Sequence, residues 1–570
     1  MKLGKAFSDS IITGKKAASR FGKPKARTWW LGSGRALIFT SILFVSLFVL
    51  AWRLFDLTII RGYEFRSLAE GNRIKEIILR APRGRILDRT GKVLADNTPK
   101  DGEYDYTRVY PAGQATSPVT GYTGEITAEE LADPYYKLRG YRQGDRIGRM
   151  GIEAIFEGKL RGRDGRELVE VNASGAVMRT LGKIESVPGE DITISIDRSL
   201  TQAALVAFPT DEKGAIIVSR PTTGEVLALI ISPSFDANVF SQTLPENPNL
   251  PMFNRAIGGL YPPGSTFKIV TAIAGLEEGA ISEKTLFEDT GQLVIGPFTF
   301  PNWYFIKYGK TEGLVDIVKA IQRSNDIYFY KLGETLGITK LAAWARRLGV
   351  GTPMGIEIPG EAAGLMPDPA WKAGRFDTEA DREARNDQWY LGDTYHVAIG
   401  QGYLLVTPLQ VNAWTNVVGS GGKLCRPTIE KVSSDMRHAS SSCKDLGIKK
   451  ETIDLITEGM KRACEPGGTG WPLFNFSVKR QASSVKQDDT SQLNVTPDTL
   501  TPDTISVPVA CKTGTAEFGD PQDRTHAWFT AFAPIEEPEI SVTVLVEGAG
   551  EGSDKAAPIA KMILEEWFGR

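Results

Sequence analysis

Tyr261-Pro262-Pro263-Gly264-Ser265-Thr266-Phe267-Lys268 is followed by Ile269, Val270, Ile273, Ala274 and Leu276 at helical spacing. Two prolines and a glycine stop one element, so this stretch predicts that Ser265 stands at the start of a buried helix. Residues three apart share a helix face, which lets the Ser265 hydroxyl meet the Lys268 amine. A serine at its free pKa is a poor nucleophile and needs an adjacent base. No histidine is close in sequence, so the base would be a lysine kept neutral by burial and a neighbouring cation. The spacing alone is weak, since Ser441/Lys444 and Ser483/Lys486 repeat it in polar surroundings. For an isolated instance, a helix cap with a surface lysine is the ordinary reading.

Two later stretches add to it. In Arg323-Ser324-Asn325-Asp326-Ile327-Tyr328-Phe329-Tyr330, Ser324 precedes an apolar helical pattern. It reads either as a plain N-cap or as a second hydroxyl passing protons between lysine and leaving group. In Val509-Ala510-Cys511-Lys512-Thr513-Gly514-Thr515-Ala516 an apolar run leads into threonines, an edge-strand candidate in which Gly514 allows a substrate backbone to approach closely. Lys512 could be the cation that depresses Lys268, and Thr513 and Thr515 offer hydroxyls to a carboxylate. A solvated strand end is the competing reading.

These stretches lie in what reads as one large globular part beginning near residue 196. Ala215 to Ser219 and Val226 to Ile231 are β-rich runs around the turn signal Pro221-Thr-Thr-Gly224 and read as a hairpin. Further strands are expected at Ala527 to Ala533 and Ile540 to Glu547. Ile559, Ile563 and Trp567 predict a closing helix over Ala556 to Phe568. First and last strands in one sheet, with helices from the middle, give α+β layers. Residues 481–506 are rich in Ser, Thr, Gln, Asp and Pro and predict a mobile insertion, because such a composition cannot offset its ordering entropy. Residues 62 to 195 are polar and broken, an extended module in which Glu167 to Arg179 and Glu190 to Ile196 carry the strand period.

Residues 1–35 hold nine Lys or Arg against one acid, Asp9, and Ala36 to Trp52 is an uncharged apolar run of 17 residues. At 1.5 Å per residue that run nearly crosses a hydrocarbon core of about 30 Å. Trp29, Trp30 and Trp52 suit the interfaces, and the one-sided basic flank predicts an uncleaved anchor with its N-terminus in the cytoplasm. A signal peptide would be shorter and end at a small-x-small site, whereas this run ends Trp52-Arg53-Leu54-Phe55.

The chain has 570 residues, 67 Lys+Arg against 69 Asp+Glu, and a net charge of -2, which argues against a nucleic-acid partner. Its four cysteines show no C-x-x-C spacing and its three histidines are scattered, so neither a metal nor a cofactor is expected. An exported domain can form disulfides. Cys425 with Cys443 is the first pair to test, free thiols remain an equal alternative, and Cys511 reads as a core residue.

In order, the three stretches resemble the Ser-x-x-Lys, Ser-x-Asn/Asp and Lys-Thr-Gly elements of the penicillin-binding protein and serine β-lactamase superfamily. The anchor, Ala81-Pro-Arg-Gly-Arg-Ile-Leu-Asp-Arg-Thr-Gly91, Gly148-x-x-Gly151-x-Glu153 and Gly400-Gln401-Gly402 resemble class B penicillin-binding proteins. Ser324-x-Asp326, Trp389-Tyr-Leu-Gly-Asp393 and Ile399-Gly-Gln-Gly-Tyr403 resemble the elongation type, the penicillin-binding protein 2 group. The stretch 92–147 is shorter than expected for the head of that group's pedestal. Some relatives carry a zinc site between the first two motifs, but no Cys or His occurs here between 268 and 324.

The resemblance implies an α+β transpeptidase domain, an antiparallel sheet flanked by helices, on an extended pedestal with one transmembrane helix. The expected limits are a basic cytoplasmic tail at 1–35, an anchor at 36–56, a pedestal at 57–195 and the transpeptidase domain at 196–570. The implied reaction is D,D-transpeptidation of peptidoglycan stem peptides. Ser265 is the implied nucleophile, Lys268 its base and Ser324 a proton relay. Asp326 holds the network and Lys512 shapes the potential. Thr513, Gly514 and Thr515 bind substrate, with Ser265 and Thr515 N–H groups as oxyanion hole. Implied partners are β-lactams as covalent inhibitors, a polytopic glycosyltransferase of the rod-shape SEDS type and an elongation-complex scaffold. The implied location is the cytoplasmic membrane, with the catalytic domain outside. The alternatives are a septal transpeptidase, a β-lactam sensor without crosslinking activity and a catalytically dead scaffold. A hydrolytic β-lactamase lacks a credible deacylating glutamate motif here.

Overall fold

The computed structural model describes residues 34–71, 73–100, 105–172, 174–239, 246–432, 443–479 and 504–570. The basic tail and most of the expected insertion therefore lie outside the described residues. Contacts divide the chain into two units: residues up to Ile77 with Glu167–Lys183, and Ile78–Arg166 with Ile184–Arg570.

In the first unit, α1 (Gly34–Phe55) continues as a π-helical turn, Asp56–Ile60, and α2 (Gly62–Gly71) follows. Ala36–Ile60 forms one apolar helical stretch of 25 residues with no buried residue, long enough to span a bilayer. It outruns the charge-free run Ala36 to Trp52 because Arg53, the residue that ends that run, pairs at 2.8 Å with Asp56 one turn on. Beyond it, β1 (Ile74–Leu79), β2 (Gly165–Val171) and β3 (Val177–Ile184) form a three-stranded sheet in that order. The expected single run Glu167 to Arg179 is thus two strands. The Asn172 side chain accepts from the Ser174 and Ala176 N–H groups and turns the chain between them. Of the other expected run, Glu190 to Ile196, only Ile192–Thr193 is strand.

In the second unit the 81–91 motif and the Gly148-to-Glu153 motif meet. Arg83 pairs with Glu153 at 2.5 Å and with Glu157 at 2.6 Å, and Arg108 reaches Glu153 at 2.7 Å. Glu153 is fully buried. A buried ion network of this kind is costly to break on one side, about 3–5 kcal/mol, because it strands a charge. Asp88, also fully buried, closes its own turn by accepting from the Thr90 and Lys92 N–H groups and accepts from the Arg198 N–H at 3.1 Å.

That last bond leads into α3 (Arg198–Ala207) and the main sheet. Its strands are β4 (Gly214–Ser219), β5 (Val226–Ser232), β6 (Ala510–Glu517), β7 (Thr525–Ala533) and β8 (Ile540–Val546). The order is β5-β4-β8-β7-β6, every neighbour antiparallel, so β6 is an edge as expected. The hairpin, the two late strands and the closing helix lie where the sequence placed them, the helix α9 (Gly552–Phe568) starting one turn earlier.

Alternation along the strands sorts the residues into two layers. Ile216, Val218, Val542 and Val544 face α9 and α3. On the other face lie α4 (Lys268–Glu277), α5 (Ile317–Arg323), α6 (Asp326–Leu336), α7 (Pro408–Gly419) and α8 (Lys450–Ala463). Thr504–Ser506, expected within the mobile insertion, instead form a short strand paired with Ser477–Lys479, since Ile505 has an apolar surface to cover.

All four cysteines are bridged, Cys425 to Cys443 and Cys464 to Cys511. Cys511 is buried as expected, but as half of a crosslink. Its partner sits at the end of α8, 47 residues earlier, a pairing that no local pattern signals.

Candidate active site

Ser265 sits in a 3-10 turn, Gly264–Phe267, that runs directly into α4. The Lys268 N–H bonds back to the Ser265 carbonyl, so the Ser265 and Lys268 side chains are one tight turn apart. This turn is held from both sides. Trp528 of β7 donates its indole N–H to the Pro262 carbonyl at 3.0 Å, and the Tyr261 hydroxyl donates to Glu547 at 2.7 Å. Gly264 has φ +52° and its N–H bonds the Gly400 carbonyl at 2.9 Å. A Cβ there would lie 2.6 Å from the Thr515 carbonyl oxygen, so glycine is what allows β6 to close on the turn. Among the described residues the Ser265 hydroxyl takes no hydrogen bond; it borders a cleft of about 1430 Å³.

Lys268 is fully buried, and its three N–H bonds have three acceptors. They are Asp326 Oδ1 at 2.7 Å, the Ser324 carbonyl at 2.8 Å and Ser324 Oγ at 3.3 Å. Lys512 lies on β6 with Ala510 and Ala516, so alternation turns it toward the helical layer. It too is fully buried and donates to Ser324 Oγ at 2.8 Å and to the Thr513 carbonyl at 2.9 Å. One hydroxyl therefore links two buried amines.

Both amines are pushed below the ordinary lysine range, chiefly by burial. For Lys268 the Asp326 carboxylate works against that. For Lys512 the second cause, repulsion from Lys268, acts with burial and carries it well below. Two ammonium groups sharing one hydroxyl and one carboxylate in a dry site each disfavour the other's charge. The carboxylate is on Lys268, so the repulsion falls on Lys512. The sequence reading had Lys512 as the cation acting on Lys268; in this resting geometry Lys268 holds the better-paired charge.

Ser324 is not the N-cap its position suggests. It follows α5 in the left-handed conformation, φ 52°, while Asn325 caps α6 by accepting from the Tyr328 N–H at 2.9 Å. A non-glycine residue held there costs of order 1 kcal/mol and persists only when its surroundings fix it. Asp289, 3% exposed, supplies that fixing. Its carboxylate accepts from Asn325 Nδ2 and Asn302 Nδ2, both at 2.9 Å, and from the Gly291 and Glu312 N–H groups. Asn302 in turn accepts from the Asp326 N–H at 3.2 Å, and the Trp303 N–H donates to Asp326 Oδ2 at 2.9 Å. Asp326 is thereby aimed at Lys268. Sequence reasoning missed Asp289, Asn302 and Trp303, single residues at the ends of short elements between the first two motifs.

Thr513 and Thr515 alternate with Lys512 and face away from it, with Thr515 exposed at the cleft. Thr513 Oγ1 lies 2.8 Å from Thr469 Oγ1, a further hydroxyl at the cleft that no motif signalled. A Cβ at Gly514 would lie 3.0 Å from both Thr266 Cγ2 and Trp528 Cβ, so this glycine lets β6 lie flat against the turn that carries Ser265. Of the two described histidines, His526 accepts from the Gly548 N–H, and burial pushes it down to about 4. It stays neutral at physiological pH as a structural group behind β6.

The family model described as the penicillin-binding protein transpeptidase domain matches residues 214–565, and that of the penicillin-binding protein dimerisation domain matches 100–194. The chain is 30% identical to the peptidoglycan D,D-transpeptidase MrdA of Haemophilus influenzae, over 94% of this chain and 90% of that protein. It is similar to penicillin-binding protein 2 of Helicobacter pylori solved in complex with MreC, at 26% identity and TM-score 0.68, covering 87% of this chain and 99% of that one. A chain in a structure of a peptidoglycan synthase complex, described as coordinating polymerization and crosslinking, matches at 27% identity and TM-score 0.69, over 94% of this chain and 99% of that one. With three motifs converging on one buried amine pair, and with likeness along almost its whole length, the chain belongs to the class B penicillin-binding proteins of the elongation type, the serine D,D-transpeptidases of peptidoglycan.

Proposed function

We propose that this chain crosslinks stem peptides during cell elongation through an acyl-enzyme on Ser265, and that the Lys268–Ser324–Lys512 chain moves the protons. The hydroxyl of Ser324 between the two amines is the observation that carries this reading. A proton passes from Lys268 to the Ser324 oxygen while the Ser324 proton passes to Lys512, which leaves Lys268 neutral. Lys268 then takes the Ser265 proton as the oxygen attacks the carbonyl between two terminal D-alanines. The Ser265 and Thr515 N–H groups receive the oxyanion, each donor worth about 3 kcal/mol. The C–N bond breaks, the leaving amine takes a proton through Ser324, and D-alanine departs. An amine of a neighbouring strand attacks the ester and gives its surplus proton to the same relay. The C–O bond breaks and Ser265 regains its hydrogen. Thr513 and Thr515 hold the donor's terminal carboxylate, and Gly514 lets its backbone lie along the edge of β6.

The working division keeps the pedestal at 57–195 and the transpeptidase domain at 196–570. The apolar helix anchors the chain in the cytoplasmic membrane, with residues 1–35 inside and the catalytic domain outside, because the basic residues gather on one side. A penicillin-binding protein 2 solved with MreC and a similar chain in a peptidoglycan synthase complex support two partners here, an elongation-complex scaffold and a polytopic SEDS-type glycosyltransferase. β-Lactams, which mimic the D-alanyl-D-alanine end, acylate the same serine. Labelling with a fluorescent penicillin tests the reading: the wild type takes up label and Ser265→Ala does not. Label persisting in Ser265→Ala would place the nucleophile elsewhere.

A further inference from the structure

The cleft that holds Ser265 is larger than one peptide end needs. At about 1430 Å³ it exceeds the roughly 300–1,000 Å³ usual for a small-molecule site. One wall is the edge of β6, suited to an extended peptide that pairs through its backbone. Another part of the lining is of a different character. There the short helix Trp303–Tyr308 packs its aromatic rings together, Tyr304 on Tyr308 at 5.2 Å and Tyr304 on Trp303 at 5.6 Å between centroids. Tyr308 is 54% exposed, and so is Trp471 on a separate segment bordering the same cleft.

The rings of Tyr308 and Trp471, left half open on the lining of the cleft that Ser265 borders, mark a surface meant to be covered, while Tyr304 lies under the Arg323 guanidinium, 5.0 Å from its ring centroid. Polar groups stand among them. Lys307 pairs with Glu551 at 2.6 Å, and the Trp471 indole N–H points to Asp554 at 3.4 Å. Flat apolar faces ringed by charged donors and acceptors match one ligand chemistry in particular. A pyranose ring has a face of C–H groups that stacks on an aromatic ring and a rim of hydroxyls that needs hydrogen-bond partners. A stem peptide has no comparable flat apolar face, and a protein-docking patch would not need to open into the catalytic cleft.

We propose that Tyr304, Tyr308 and Trp471, with Lys307, Glu551 and Asp554, form a saccharide subsite that takes the glycan sugar to which a stem peptide is attached. The proposal rests on the transpeptidase reading and adds a specificity to it: the enzyme selects stems carried on sugar over free peptides. A stem of about five extended residues spans at most roughly 17 Å. A sugar bound here while its peptide end lies at Ser265 thus needs only a cleft of that length, open at both regions. Trp303 ties this region to the chemistry, since its N–H donates to Asp326 Oδ2 and its indole to the Arg323 carbonyl at 3.0 Å.

The test compares crosslinking by the full-length, detergent-solubilised protein of two substrates with the same stem, one free and one on its disaccharide, read by mass spectrometry of the products. A fluorescent penicillin, which carries no sugar, serves as the control for chemistry. In the wild type the disaccharide-linked stem is expected to be favoured about tenfold or more in kcat/KM. In the double variant Tyr308→Ala/Trp471→Ala that preference falls to within about twofold, while penicillin acylates the variant at the wild-type rate. Equal use of both substrates by the wild type, or a preference that survives in the double variant, overturns the subsite and leaves these rings to protein docking. A double variant that also loses penicillin acylation overturns it too, since the rings would then support the fold of the site. Failure of the wild type to take up penicillin at all would instead count against the transpeptidase reading.

Discussion

Ser324 Oγ lies 2.8 Å from Lys512 Nζ and 3.3 Å from Lys268 Nζ, so a single hydroxyl joins two fully buried amines from distant stretches of the chain. Its consequences are electrostatic first. Burial and mutual repulsion lower both amines, so the folded pair binds fewer protons than two free lysines would.

The rate of β-lactam acylation against pH should therefore have an acidic limb centred well below the 10.5 of an ordinary lysine. Below that limb both amines are charged and Lys268 cannot accept a proton; above it the base form is present. The stability effect has the same sign. The unfolded lysines hold protons that the folded pair has lost, so this pair's contribution to stability rises as pH increases from the lowered folded pKa toward 10.5. A pH–rate profile with its limb near 10.5 would contradict the assignment.

Lys512→Met should separate stability from function. An amine disfavoured by burial and by repulsion from Lys268 is replaced by an apolar chain of similar length, which removes both costs. The melting temperature is expected to hold or rise while penicillin acylation falls by at least about a hundredfold, about 2.7 kcal/mol in the barrier. Thermal unfolding and stopped-flow acylation on one preparation check both.

Asp289→Asn places an amide against four donors that now share one carboxylate. Hydrogen bonds to a charged group contribute about 1.5–3 kcal/mol, so acylation should drop about ten- to a hundredfold. The loss is expected in the acylation rate more than in penicillin affinity, because Asp289 acts through Asn325, Asn302 and Asp326. Unchanged kinetics would show that the Ser324 turn holds itself.

The Cys464–Cys511 crosslink closes a loop of 47 residues and ends beside Lys512. Loop-closure entropy gives it about 4 kcal/mol of stabilisation. Cys464→Ser/Cys511→Ser should lower the urea midpoint by a corresponding amount, and a reductant should lower the midpoint of the wild type by more than that of the variant, which keeps only Cys425–Cys443.

Much of this was legible in the sequence for a physical reason. The hairpin around Pro221-Thr-Thr-Gly224, β7, β8 and α9 are periodic runs bounded by turn residues, and periodicity survives into structure because it is the burial pattern itself. The three motifs could be found because each is local. What was hidden was non-local. Cys511 looked like a core residue because its partner lies far back on α8. Ser324 looked like a cap because nothing in Arg323-Ser324-Asn325 shows that the helix starts one residue later. Asp289 and Asn302 are single polar residues whose meaning appears only where they meet Asn325. Glu167 to Arg179 read as one strand because a turn held by Asn172 leaves the alternation on either side intact.

The most direct measurement is the acylation rate by penicillin of Ser324→Ala and Ser324→Gly, with the adduct mapped by peptide mass. Glycine keeps the left-handed backbone at no cost, so only the hydroxyl is lost. A fall of at least about a hundredfold in both variants, with the remaining adduct still on Ser265, is the expected result. Rates within about twofold of wild type would contradict a proton path through Ser324.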